Sequence, residues 1–369
     1  MHIVCQKDIL LNGINTVSKA VPNKTTMPIL ECILLSTSKN KFKLIANDLE
    51  LGIESTLEPV EIIEDGAIAL EAKIFSEIIR RLPEDKVDIT TDENNLTIIK
   101  CKNSEYKIMG QLSDDFPNLP DIEKNVEYTL SQVELKNMIK QTIFSISDDD
   151  SKPNLKGELL EITDKSINVV AVDGYRVSFR KTSIENNKES ISRIIPGKTL
   201  NEIIKILSSE DEDKVSIYFT DRHMLLDLGL SKVVSRTIDG EFIRYEQIFS
   251  NDYNTKLVVN CKDIIMSLER ASLLSRDNKK IPVKIEIKAK KMIITSNTEL
   301  GTAYEEVDID MDGNEMSIAF NPKYIIECLK AIEDEEICMY FTSSLSPCII
   351  KPIQADDYKY LVLPVRLNI

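Results

Sequence analysis

Apolar residues between Lys73 and Leu82 fall at Phe75, Ile78, Ile79 and Leu82, so they share one face of a helix. The pattern returns 125 residues later at Leu200, Ile203, Ile204 and Leu207, and 125 later again at Ile325, Cys328, Leu329 and Ile332. Each helix opens on a lysine: Lys73, Lys198 and Lys323. Each is followed by acidic residues and then a strand-like run, VDIT, VSIYF or ICMYF. The same 125-residue step links Asp48 in IANDLELGIE, Asp173 in VAVDGYRVS and Thr298 in ITSNTELGTA. All three are a β-branched run, a turn and a second strand. The chain is therefore three copies of one unit, each long enough for its own core.

Within the first copy the spacing predicts strands at His2–Cys5, Leu30–Thr37, Lys41–Ala46, Gly52–Leu57, Ala67–Leu70, Val87–Thr90, Leu96–Cys101 and Tyr106–Met109. Helices are predicted from about Asp8, a plausible cap, to Ala20, and from Lys73 to Pro83. The second copy predicts helices over 132–147 and from Lys198, and the third over 263–274 and from Lys323. DFPNLPDIEKN (Asp115–Asn125) has two prolines and no periodicity and reads as a linker. The expected domains are 1–122, 126–251 and 254–369. Two helices and about eight strands per copy, segregated in sequence, give an α+β fold with mainly antiparallel sheet.

Charge adds a second pattern. The 369 residues include 61 acidic and 46 basic ones, a net −15, which argues against binding nucleic acid by bulk charge. Yet residues 7–20, 73–81, 132–147, 198–206, 262–276 and 323–330 together carry +7, leaving −22 for the rest. Lys73 and Arg80, Lys198 and Lys205, and Lys323 and Lys330 are each seven residues apart, two turns along one helix face. Glu77, Glu202 and Glu327 stand at ion-pair spacing between them. The residues alone fit a solvated face and a nucleic-acid-facing one about equally.

No site for chemistry emerges. The seven cysteines are dispersed, without C-x-x-C, and with two histidines they form no zinc set, so they read as reduced core residues. Gly197-Lys198-Thr199 lacks the glycine, here Ser192, that a phosphate loop requires. Asp308-x-Asp310-x-Asp312-Gly313 resembles a calcium loop, but its twelfth position is Ala319, so a turn between strands is expected. Asp148-Asp149-Asp150 reads as a solvated loop, because three consecutive carboxylates cannot converge on one site. No apolar run is long enough to span a membrane and the start lacks a signal-peptide pattern, so a cytoplasmic chain is expected.

The threefold repeat, DGYR at Asp173–Arg176, DFPNL at Asp115–Leu119, DGEFIRYEQIF at Asp239–Phe249 and LPVRL at Leu363–Leu367 together resemble the bacterial sliding clamps, the β subunits of DNA polymerase III. The resemblance covers the whole chain in order. It implies a head-to-tail homodimeric ring of six similar domains around double-stranded DNA, without enzymatic activity or cofactors. The implied partners are the polymerase III catalytic subunit, a clamp loader, and other polymerases and repair proteins docking through short peptides.

Carried over by position, the peptide pocket is Leu155, Val172, Gly174, Tyr175, Arg176, Val177, Ile243, Gln247, Ile248, Leu361, Leu363, Pro364, Val365 and Arg366. Arg176 and Arg366 are expected at its rim. The family often has proline where Ile243 stands and histidine where Tyr175 stands. The implied DNA-facing residues are Lys24, Lys73, Arg80, Lys198, Lys205, Arg276, Lys279, Lys280, Lys323 and Lys330. The implied dimer contact sets Tyr106 and Ile108 against Leu273 and Leu274. Two rival readings remain at this point: an enzyme built on the acidic clusters, and a peptide-binding scaffold that never encircles DNA.

Overall fold

The predicted apolar helix faces are the buried ones. Phe75, Ile79 and Leu82, then Leu200, Ile203 and Leu207, then Ile325, Cys328, Leu329 and Ile332 are all withdrawn from solvent in the computed structural model, which describes residues 1–184, 189–249, 252–275 and 281–366.

The first third of the chain gives β1 (His2–Gln6), α1 (Lys7–Val17), β2 (Cys32–Ser38), β3 (Lys41–Asn47), β4 (Leu51–Leu57), β5 (Val60–Glu64), β6 (Ala67–Glu71), α2 (Ala72–Arg81), β7 (Lys86–Thr91), β8 (Leu96–Cys101) and β9 (Ser104–Met109). The middle third gives β10 (Tyr128–Ser131), α3 (Gln132–Lys140), β11 (Gly157–Ile162), β12 (Ser166–Val172), β13 (Arg176–Ser183), β14 (Ile191–Pro196), α4 (Gly197–Ile206), β15 (Lys214–Phe219), β16 (His223–Asp227) and β17 (Ser231–Arg236). The last third gives β18 (Thr255–Asn260), α5 (Cys261–Ala271), β19 (Val283–Lys288), β20 (Lys291–Thr298), β21 (Gly301–Asp308), β22 (Asp310–Gly313), β23 (Met316–Phe320), α6 (Pro322–Lys330), β24 (Glu336–Phe341), β25 (Cys348–Pro352) and β26 (Tyr358–Val362).

The chain divides into two units that do not follow the thirds: Met1–Val133 with Lys198–Thr237, and Glu134–Gly197 with Ile238–Ile369. The first unit holds a five-stranded sheet, β5-β1-β7-β8-β9, and an eight-stranded sheet, β10-β15-β16-β17-β4-β3-β2-β6. Helix α1 packs on α2, β3 and β4. The second unit holds a nine-stranded sheet, β14-β11-β12-β13-β26-β25-β24-β18-β22, and a four-stranded one, β21-β20-β19-β23. Here α5 packs on α6 and on β20 and β21 around one large apolar core. The register pairings within these sheets are antiparallel, as in β17 on β4 and β13 on β26. Those two ladders join strands from different thirds into one sheet, because each pairs the last strand of one repeat with the strand after the DGYR-type turn of the repeat before.

Local chemistry sets the element ends. Asn260 caps α5 by accepting from the amides of Lys262 and Asp263, and Asn321 caps α6 with Pro322 in its first turn. Asp8 sits inside the first turn of α1 rather than capping it, since the Lys7 amide donates to Asp85 O and its side chain to Glu84 at 2.6 Å. The α-helix of α1 stops at Val17, and Ser18–Ala20 tightens to 3₁₀. Helix α3 ends at Lys140 instead of continuing to Ser147, because Thr142 Oγ1 bonds back to Met138 O and across to Glu158, drawing the chain out of its helical path. The start of the expected 30–37 strand is a 3₁₀ turn that begins at Pro28. Asp310–Gly313, expected as a turn, is a short strand on β18.

Candidate functional site

The Asp173–Arg176 turn lies in the second unit between β12 and β13. Asp173 Oδ1 accepts from the Tyr175 and Arg176 amides at 2.8 and 3.0 Å, and Gly174 takes φ +92°, which glycine adopts without strain. The turn leaves Tyr175 60% exposed, stacked on Tyr324 with centroids 5.8 Å apart. Below it, Leu155, Val172, Val177 and Leu361 are buried in one apolar cluster, with Ile243 partly buried against them. These five cleft residues are therefore brought together, by the 3₁₀ turn at Pro153–Leu155, β12, β13, β26 and the segment after Ile238.

The C-terminal segment continues beyond β26. Leu363 N–H donates to Tyr175 O at 2.9 Å, placing Leu363 beside the turn, and Val365 N–H donates to Ala319 O at 2.8 Å. Strand β26 ends at Val362, two residues before Pro364, which has no amide to give a ladder. Ile248 and Gln247 are exposed at the end of a 3₁₀ turn over Tyr245–Gln247, whose Tyr245 belongs to the same cluster. Val365 and Arg366 lead elsewhere and line a separate cavity with residues of β20 and β21.

Arg176 corrects one expectation. It is not a rim residue: only 5% of it is exposed. Its Nε donates to Asp173 at 2.9 Å, Nη1 to Glu327 at 2.5 Å, and Nη2 to Phe144 O. The guanidinium also lies over the rings of Phe144 and Tyr324, at 5.2 and 4.7 Å. Each of its three nitrogens donates to a partner within the protein, so it holds the DGYR turn against α6. Burial alone would lower its pKa, but the bond to Glu327 and the charges of Asp173 and Glu327 hold it above the ordinary value. Sequence reasoning missed Glu327 and Tyr324 as supports of this turn. Their only signal was their place in α6 close to Lys323.

The basic helix positions are all at the surface. In the first unit Lys24, Lys73, Arg80, Lys198 and Lys205 are exposed, and in the second Lys323 and Lys330 are. Most carry a carboxylate partner: Arg80 with Glu77, Lys205 with Glu202, Lys323 with Glu327, Lys330 with Glu269 and Lys198 with Asp48. The bond to Asp48 raises the Lys198 pKa. Among the described residues Lys73 makes no ion pair. Arg276, Lys279 and Lys280 lie outside the described residues, as do Leu367–Ile369.

Among the strands that end a sheet, two bear on the expected dimer contact. In the first unit β9 ends the five-stranded sheet, with Tyr106 41% exposed and Ile108 half-buried. In the second unit β21 ends the four-stranded sheet. The 3₁₀ turn at Leu273–Ser275 packs beside β20 and β21 and leaves Leu273 half exposed. Leu273 also lines a cavity of about 570 Å³ with Met266, Arg270 and Ile326.

Among the described residues no group of His, Cys, Asp and Glu is placed to hold a metal, and no helix is long and apolar enough to cross a membrane. All seven cysteines are buried thiols, and burial pushes Cys5, Cys32 and Cys261 up to about 11.

Residues 1–120, 129–243 and 246–366 match the N-terminal, central and C-terminal domains of the DNA polymerase III beta subunit. A beta sliding clamp of Staphylococcus epidermidis is 34% identical over 99% of both chains, and that of Bacillus subtilis 33% identical over 99% of this chain and 100% of its own. The crystal structure of the Bacillus subtilis DNA polymerase sliding clamp superposes with a TM-score of 0.96 at 33% identity, covering 100% of this chain and 99% of that one. A Eubacterium rectale protein assigned to the DNA polymerase III beta subunits superposes with a TM-score of 0.96 at 43% identity, over the full length of both chains. With three consecutive clamp domains, mostly antiparallel sheets and whole-length relatives, the chain belongs to the DNA polymerase III beta subunit family, the sliding clamps.

Proposed function

We propose that two copies of this chain close head to tail into a ring that encircles duplex DNA and tethers a replicative polymerase. The ring does no chemistry itself. Its hold is topological, so phosphate attraction stays weak enough to permit sliding. The exposed basic positions of α2, α4 and α6 would face the duplex. The cleft under the Asp173–Arg176 turn would receive short peptides from the polymerase III catalytic subunit, the clamp loader, and other polymerases and repair proteins, in the cytoplasm. Burying one leucine or phenylalanine there contributes roughly 1.5–3 kcal/mol, so two anchors support an affinity on the order of micromolar after ordering costs.

One observation carries the dimer. Strands β13 and β21 begin 125 and 250 residues after β4, at Leu51, Arg176 and Gly301. Strands β17 and β26 begin 127 and 254 residues after β9, at Ser104, Ser231 and Tyr358. Within the chain β17 pairs with β4, setting Val233 opposite Ile53, and β26 pairs with β13, setting Tyr360 opposite Ser178. The next member of the series is β9 on β21, with Tyr106 opposite Ala303. Both strands are open edges, and a second copy satisfies both at once. The cavity beside Leu273 then lies next to the seam and offers room for Tyr106.

Loading the protein onto nicked circular DNA tests the function. Retention through a high-salt wash, with release on linearisation, is the expected result. Equal loss from circular and linear DNA as salt rises would refute topological attachment, because that is how a purely electrostatic binder behaves.

A further inference from the structure

The floor of the cleft continues across the sheet as a single row. Val177 of β13 is opposite Leu361 of β26, Leu361 opposite Ile349 of β25, Ile349 opposite Tyr340 of β24, and Tyr340 opposite Lys256 of β18. Side chains alternate between sheet faces, so these five share one face. The adjacent row, Ser178, Tyr360, Ile350, Met339 and Leu257, is fully buried and defines the core side. The first row therefore faces outward. Its exposure grows from buried Val177 and Leu361 to half-buried Ile349, Tyr340 and Lys256.

The far end of the row has its own chemistry. Tyr340 is met edge-on by the exposed Tyr253, centroids 4.8 Å apart at 68°. Lys351 Nζ lies 4.6 Å and Lys256 Nζ 5.9 Å from the centroid of the Tyr340 ring. Neither lysine forms an ion pair among the described residues, whereas Lys359 on the same face is held by Asp356 at 2.8 Å. In a chain of net −15, two cations left beside an outward aromatic pair are placed for an anionic, aromatic-bearing partner.

We infer that the Tyr253–Tyr340–Lys256–Lys351 patch is an outer subsite of the peptide cleft, and that it takes acidic residues flanking the apolar anchor of a docking peptide. This rests on the cleft reading above and extends it from where the anchor sits to which flanking sequence is preferred. Three ladder spacings of about 4.8 Å separate Leu361 from Lys256, about 14 Å, which some four extended residues span. The apolar end then supplies the common anchor. The lysines discriminate among partners through flanking charge, which acts more on selectivity and encounter than on total affinity.

The test is fluorescence anisotropy with synthetic peptides on the intact protein. One peptide carries only a Leu-Phe anchor. Others add Gly-Asp-Glu-Tyr, or the neutral Gly-Asn-Gln-Tyr, at either end. From one end the acidic extension is expected to bind about fivefold or more tighter than its neutral match at low salt, with the gain fading as salt rises. Lys256→Gln with Lys351→Gln should erase that gain and leave the bare anchor peptide unchanged. Equal binding of acidic and neutral extensions from both ends would overturn the subsite alone. Failure of the bare peptide to bind would overturn the cleft reading and the subsite with it.

Discussion

Glu327→Ala withdraws one acceptor from a buried cation. Arg176 loses its 2.5 Å partner but keeps Asp173 at 2.9 Å, the Phe144 carbonyl and both flanking rings. A hydrogen bond between charged groups contributes about 1.5–3 kcal/mol. The Glu327 side chain is 32% exposed, so water replaces part of the lost interaction, and the expected cost lies near the lower end, about 1.5–2 kcal/mol. Arg176→Ala removes more. It takes the balancing cation from Asp173, whose side chain is only 12% exposed and keeps just its two backbone amide donors, and it empties the space between Phe144 and Tyr324, for an expected cost of about 3–5 kcal/mol. Because the two residues touch, the double variant should fall short of additivity by about 1.5 kcal/mol. Urea unfolding at pH 7 and fixed protein concentration measures all three, with midpoints moving and m-values unchanged. A Glu327→Ala midpoint within about 0.5 kcal/mol of the parent, or strict additivity, would refute the view that Arg176 clamps the turn onto α6.

Tyr106→Cys combined with Ala303→Cys should form an intermolecular disulfide under mild oxidation, while Tyr106→Cys with Glu305→Cys should not; the reverse on a non-reducing gel would refute the seam register. Glu at Lys73, Lys198 and Lys323 together should impair loading onto circular DNA or sliding along it while sedimentation still gives a dimer, and undiminished loading and sliding would detach those helices from the DNA path. Glu158, 1% exposed, has its carboxyl held well above the usual range by burial. Thr142 Oγ1 lies 2.8 Å from Met138 O and 2.7 Å from Glu158, and its single proton serves one of them, so a protonated Glu158 completes the set. The folded chain thus keeps a proton that the unfolded chain releases above the ordinary carboxyl pKa, and this stabilisation, full below that value, is lost as pH rises towards the folded one. Glu158→Gln should therefore melt progressively higher than the parent from pH 5 to pH 8, and a pH-independent difference would count against a buried neutral acid.

Much of the fold was legible because repetition displayed the same apolar spacing three times. Phe75, Leu200 and Ile325 occupy equivalent buried positions, and no single copy would have carried that weight. The extent of α3 was not legible, since the bond that turns the chain at Thr142 comes from Glu158, beyond the helix. Strand β5 was missed because Val60–Glu64 is a mostly exposed edge with little alternation. The cleft floor was readable through its apolar residues. The inward turn of Arg176 was not, because a lone arginine after a turn reads as surface and its partner Glu327 lies 151 residues away. The row from Val177 to Lys256 is likewise invisible in sequence, being set by the registers of four strand ladders.

The segment Asp115–Asn125 takes on a mechanical meaning. Phe116 is buried among Ile29, Leu30, Cys32 and Ala69, while Ile122 is buried among Tyr218, Leu225 and Val234. The linker is therefore pinned at both ends, to the first repeat and to the strands of the second that pair with it through β17 and β4. Tension across that junction meets a strand zipper backed by a covalent strap with two apolar rivets. An intermolecular β9–β21 zipper has no strap. In the ring proposed above, strain would therefore part the seams first, while this strapped junction would act as a stiff arm that transmits the load.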